Sequence, residues 1–136
     1  VFNKVVVYFD GSPKGKRVVK RAIYLCYQTK GELFIVSAIS PLDELDVGFG
    51  EFERDLERGI SSLTEDAKEL GVKTETRILF GSPEDALIRV IDAEKPDLVV
   101  VPLIQTRGGF FGRGEYLHTK ILNVYSDEGL AVMVIP

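Results

Sequence analysis

The chain is poor in the residues that carry covalent, redox and metal chemistry. Its 136 residues include one cysteine, one histidine, one methionine and no tryptophan. A lone Cys26 excludes an internal disulfide, and the absence of a CxxC or Cys/His cluster excludes a structural zinc site. Cys26 reads instead as a small buried hydrophobe on a helix. With His118 as the only histidine, no Ser/His/Asp set can be assembled from the sequence.

Long apolar runs are also missing. No stretch reaches the ~18 residues needed to cross a bilayer, and the opening "VFNKVVVYFD" has no basic head followed by an apolar core and cleavage site. A cytoplasmic location is the expectation. Nor is there an excess of positive charge: 17 Lys and Arg stand against 21 Asp and Glu, for a net charge of -4. Binding to duplex DNA or an anionic membrane draws on clustered cations, so neither nucleic acid nor membrane is an expected partner. Small anions at local sites stay open.

What is present is enough for one domain over residues 1–136. Hydrophobic residues make up 45% of the chain, and a chain of this size buries roughly two thirds of the surface that its unfolded form exposes. Residues 5–9, "VVVYF", form a β-branched and aromatic run that stops at Asp10-Gly11-Ser12. Ser12 and Pro13 then supply a cap and a first helical residue. Val18, Val19, Ala22, Ile23 and Cys26 continue at helical spacing to about Lys30, with Gly31 as the stop. "ELFIVSAI", residues 32–39, reads as a strand, and 41–50 as a loop.

An apolar stripe of Phe49, Phe52, Leu56, Ile60, Leu63, Ala67 and Leu70 predicts a second helix ending at Gly71. Gly59 inside it costs about 1 kcal/mol relative to Ala. Residues 73–79 read as a strand near a sheet edge. Ser82, Pro83 and Asp85 then form a variant capping box ahead of Ala86, Leu87, Val90 and Ile91, and Lys95-Pro96 ends that helix. "LVVV" after Asp97 is apolar on both faces, as a central parallel strand is. Leu117, Ile121, Leu122 and Tyr125 mark a fourth helix, and "AVMVI" a fifth strand.

Strands and helices that alternate in this way predict an α/β fold, a parallel sheet covered on both faces with right-handed crossovers. Ligands of such sheets sit beyond the C-terminal strand ends. That singles out two loops, Asp10 to Pro13 and Pro102 to Thr119, the second carrying Gly108, Gly109, Gly112 and Gly114.

In order and spacing, "DGS", "GSPEDALIRVIDAEKPDLVVV" and "AVMVI" resemble the universal stress proteins of the UspA type over essentially the whole chain. The resemblance implies a five-stranded sheet ordered 3-2-1-4-5. It also implies how ATP is held in members that bind it: after the fourth strand they carry Gly, two residues, Gly, nine residues, then Gly with Ser or Thr. Glycines let backbone N–H groups approach phosphate, and the hydroxyl sits at a helix N-terminus that favours an anion.

Aligned back from "AVMVI", the last pair falls on His118-Thr119, the middle glycine on Gly108 and the first on Gln105. One glycine and the hydroxyl remain. The loop is about three residues longer than the pattern, which would put its first glycine at Pro102, a residue without an N–H. Loss of two charge-assisted contacts at about 1.5–3 kcal/mol each lowers affinity by roughly two to four orders of magnitude. Arg107, Arg113 and Lys120 offer replacement charge or are simply a solvated basic loop.

By the same resemblance Asp10 matches the acid that contacts the nucleoside, and Ala38 an apolar residue against adenine. Asp10 before Gly11 and Ser12 is equally an ordinary turn former. Phe110 and Phe111 either project as a contact surface or fold back over the loop. The fifth strand lies at a sheet edge, so pairing of Ala131, Val132, Met133, Val134 and Ile135 across a twofold axis would cover it, as in homodimers of the family.

Two functions follow as expectations. One is a non-catalytic stress-response protein with no cofactor and no tight ATP binding, acting as a homodimer or through a protein partner. The other is a switch that holds ATP or another adenine nucleotide in a modified loop at Asp10, Gly11, Ser12, Ala38, Gly108, His118 and Thr119. A phosphoacceptor receiver, which shares the topology, needs paired acids after strand 1, an Asp after strand 3 and a Lys after strand 5. Tyr8-Phe9 precede a lone Asp10, strand 3 ends in Leu79-Phe80, and Pro136 follows strand 5. For FMN, "DGSPKGK" is a short phosphate loop.

Overall fold

Apolar runs that are buried on both faces force the centre of the sheet. The computed structural model describes residues 2–40, 50–107 and 113–136. Its elements are β1 (Lys4–Tyr8), α1 (Pro13–Thr29), β2 (Glu32–Ile39), α2 (Glu51–Glu69), β3 (Thr74–Phe80), α3 (Pro83–Glu94), β4 (Leu98–Pro102), β5 (Gln105–Arg107), β6 (Arg113–Tyr116), α4 (Leu117–Val124) and β7 (Ala131–Ile135). β1, β2 and β4 are the Val- and Ile-rich strands, and they occupy the middle of a parallel sheet ordered β3-β2-β1-β4-β7. This is the expected order, with the terminal strand renumbered by a hairpin inserted before it.

The pleat sorts side chains to two cores. Val5, Val7 and Phe9 point to the face covered by α1 and α2, where they meet Val19, Ile23, Leu56 and Leu63. Val6 and Tyr8 point to the other face, against Leu87, Ile91, Leu117 and Ile121 of α3 and α4. At 25 cal/mol per Å², each fully buried Val, Leu or Phe contributes about 1.5–3 kcal/mol, so the alternation within β1 alone stabilises both layers.

Helix boundaries follow local chemistry. Ser12 Oγ accepts the Gly15 amide at 2.9 Å and Ser82 Oγ the Asp85 amide at 3.2 Å, each with proline at the first helical position. The stop of α1 differs from expectation: Lys30, not Gly31, takes the left-handed conformation, at φ 60°. Gly59 has a packing reason. A Cβ there would lie 3.0 Å from Cζ of Phe9, which is 1% exposed, so α2 needs the bare backbone to pass over the ring. Phe49, assigned to the α2 stripe from sequence, lies outside the described residues.

Candidate functional site

The exit of β1 is built as a chain of hydrogen bonds. Phe9 extends the ladder beyond Tyr8: its amide donates to Val36 O at 2.8 Å, and its carbonyl accepts the Ser37 hydroxyl at 2.8 Å. Ser37 is fully buried, so this bond satisfies a hydroxyl that would otherwise be costly. Gly11, at φ +86°, then turns the backbone, as glycine does without steric cost. Asp10 Oδ1 accepts both the Ser12 amide at 2.9 Å and the Ser12 hydroxyl at 2.7 Å. Since Ser12 Oγ in turn caps α1, the carboxylate is coupled to a helix N-terminus, where negative charge is favoured.

After β4 the chain takes a course that the sequence did not announce. Leu103 N donates to Ile135 O at 3.1 Å, and Ile104 N to Pro102 O at 3.0 Å. β5 and β6 then pair antiparallel, with Gln105 opposite Tyr116 and Arg107 opposite Arg113. Thr106, 5% exposed, donates its hydroxyl to Glu115 O across the hairpin at 2.8 Å. The hairpin closes on the next helix: the Leu117 amide donates to Ile104 O at 2.9 Å. Within a segment expected as a loop from Pro102 to Thr119, residues 105–107 and 113–116 therefore form a two-stranded ribbon, and Leu117 already begins the helix.

α4 begins without a side-chain cap at Tyr116, and His118 and Thr119 occupy its first turn. The rings of Tyr116 and His118 stack, with centroids 5.5 Å apart and planes 26° from parallel. His118 Nδ1 is buried and has no hydrogen-bond partner among the described residues. Lys120, a candidate for replacement charge, lies 3.3 Å from Glu84 Oε1 on α3 and ties the two helices together. Glu84 Oε2 is likewise buried without a partner.

The sites expected from sequence lie on three elements: the turn after β1, the end of the adjacent β2, and the start of α4. Asp10, Gly11 and Ser12 form one hydrogen-bonded turn after β1. Ala38, 6% exposed near the end of the neighbouring β2, belongs to the α3–α4 core with Leu117. His118 and Thr119 open α4. Gly108, Phe110 and Phe111 lie outside the described residues, as do the side chains of Arg107 and Arg113.

Ser37, Gly15, Tyr116 and Glu84 were not singled out from sequence. Ser37 alone left a trace, as the one hydroxyl in the apolar run "ELFIVSAI".

β7 is an edge strand. Ala131 and Met133 are exposed, whereas Val132, Val134 and Ile135 are partly buried. A groove beside it is lined by Lys20, Arg21, Tyr24 and Leu25 of α1 and by Met133 and Ile135. Among the described residues no group of three or more His, Cys, Asp or Glu is placed to hold a metal ion. No helix there is long and apolar enough to cross a membrane.

Comparison with known proteins agrees with this architecture. The profile of the Universal stress protein family matches residues 2–112. Universal stress protein Rv1636 of Mycobacterium tuberculosis H37Rv is 34% identical, over 74% of this chain and 75% of the relative. Its crystal structure superposes with a TM-score of 0.60, covering 100% of this chain and 96% of that one at 26% identity. A universal stress protein crystallised in complex with cAMP gives a TM-score of 0.67 at 25% identity, over 98% and 96% of the two chains. An Arabidopsis thaliana family protein with AMP bound, 18% identical over 98% and 90%, shares the fold with a TM-score of 0.63.

Proposed function

The chain belongs to the universal stress protein family, and we propose that it is a non-catalytic stress-response protein without tight ATP binding that works by association, with a second copy or with another protein. The observation that carries this reading is the bond from the Leu117 amide to Ile104 O. A phosphate cradle offers the first amides of a helix to the anion. Here the first amide of α4 is spent on the hairpin, and the next residue presents a ring stacked on Tyr116.

Association through β7 is the favoured mode. Met133 is 40% exposed on β7, the apolar edge strand of the sheet among the described residues, and a twofold axis would let β7 pair antiparallel with its copy. In that arrangement Ala131, Val132, Met133, Val134 and Ile135 form the interface. Sedimentation velocity at micromolar concentration tests it: a dimer is expected for the wild type and a monomer for Met133→Glu. A monomeric wild type would refute the mode.

A second reading has its own support in the 25% identical relative whose crystals contain cAMP. A nucleotide with a single phosphate asks less of a cradle than ATP does. Asp10, Gly11, Ser12 and Ala38 would then take the nucleoside, and Gly108, His118 and Thr119 the phosphate. Mass spectrometry of the denatured protein separates the readings, because the first expects no stoichiometric nucleotide and the second expects one.

A further inference from the structure

Gly15 stands at the third position of α1, where its amide donates to the Ser12 cap at 2.9 Å. Its neighbour is the Asp10 carboxylate: a Cβ built on Gly15 would overlap Asp10 Oδ1 and come within 3.2 Å of Ser12 Oγ. Any residue other than glycine must therefore displace the carboxylate that holds the Ser12 amide and hydroxyl. Glycine in the first turn of a helix has no capping advantage of its own, and its backbone freedom disfavours the helix. Its presence here is explained by what lies against it.

We propose that Gly15 is a positioning residue for Asp10: the missing Cβ lets Oδ1 lock onto Ser12 and fixes Oδ2 as an acceptor for the amine or hydroxyl of a ligand at the end of β1. Among the described residues no hydrogen bond or ion pair is made by Oδ2. Two bonds to Oδ1 remove the rotational freedom of the carboxylate, so a ligand that donates to Oδ2 meets an oriented group and loses less entropy on binding. The ligand half of the proposal rests on the nucleotide reading above; the positioning half does not.

The test is a double-mutant cycle of Gly15→Ala and Asp10→Ala. In the wild-type background Gly15→Ala is expected to lower Tm by about 3–5 °C and to shift the Ser12 amide resonance, whose partner has been moved. In the Asp10→Ala background the obstacle is gone, so the same substitution should raise Tm or leave it unchanged, because alanine favours a helix over glycine. A purely helical role gives the same sign in both backgrounds and would overturn the proposal, as would an unmoved Ser12 amide.

Calorimetry with cAMP reads the ligand half. Gly15→Ala is expected to weaken binding at least about tenfold, a loss of one oriented contact, and to have no effect once Asp10 is alanine. Equal weakening in both backgrounds would refute it. No cAMP binding by the wild type would refute the nucleotide reading and the ligand role with it, while the sign change in Tm still decides the positioning.

Discussion

The amide of Leu117 donates to the carbonyl of Ile104 at 2.9 Å, so the first residue of α4 is held by the residue that precedes β5. The bond closes the β5–β6 hairpin against the N-terminus of α4. A hydrogen-exchange measurement should find the Leu117 amide protected relative to those of His118 and Thr119 in the same first turn. Removing the cross-hairpin hydroxyl by Thr106→Val should cost about 1 kcal/mol in urea denaturation and reduce that protection. Equal exchange at the three amides would mean that the hairpin does not hold the helix.

Gly59 makes a prediction against ordinary helix propensity. Alanine at an interior helical glycine usually stabilises by about 1 kcal/mol. Here the new Cβ would lie 3.0 Å from Cζ of Phe9, a ring that is 1% exposed beneath α2 and would have to shift within the core. Gly59→Ala should instead destabilise by about 1–3 kcal/mol, the range for overpacking. The same substitution beside Phe9→Leu should recover most of the loss, which chemical denaturation of the four proteins would reveal.

Two buried groups make the fold sensitive to alkali. Burial pushes the Cys26 thiol up to about 11. Burial, then the bond to Asp92, then the charges of Asp92 and Glu128 hold the Tyr125 hydroxyl well above its ordinary range. The one proton of that hydroxyl goes to Asp92 Oδ1 at 2.7 Å, with Ile88 O at 3.3 Å the more distant acceptor.

Both folded-state values exceed the unfolded ones, so the unfolded chain loses these protons first. Stability is full below about pH 8.5, where free thiols begin to ionise, and falls further above about pH 10 for tyrosine. The urea midpoint should therefore drop between pH 8 and pH 11. Tyr125→Phe should lose about 1–2 kcal/mol at pH 7 while making the alkaline decline shallower. An unchanged slope would separate Tyr125 from the effect.

The sheet was legible because its signal is redundant. β1, β2 and β4 are continuous apolar runs, and the caps at Ser12 and Ser82 appear in the sequence beside the prolines that follow them. The order of the strands came with the family resemblance. The hairpin was not legible: β5 and β6 are three and four residues long and mostly polar, too short to show alternation. The glycines there read as a lengthened, degenerate phosphate loop, whereas the flanking residues form a ribbon.

At the site, the two- and three-residue spacings of Asp10, Ser12 and Gly15 are local and partly readable. Gly15 carries no signal of its own in the sequence, because only the folded chain brings Asp10 Oδ1 against it. Glu84 and Lys120 are 36 positions apart, and no single-sequence pattern joins them.

We propose that the hairpin stands in place of the triphosphate cradle. Isothermal titration of the nucleotide-free protein with MgATP tests it most directly. No saturable heat is expected up to about 1 mM, which corresponds to binding weaker than about -4 kcal/mol. A one-to-one isotherm with a Kd of about 1–10 μM, near -7 to -8 kcal/mol, would contradict it.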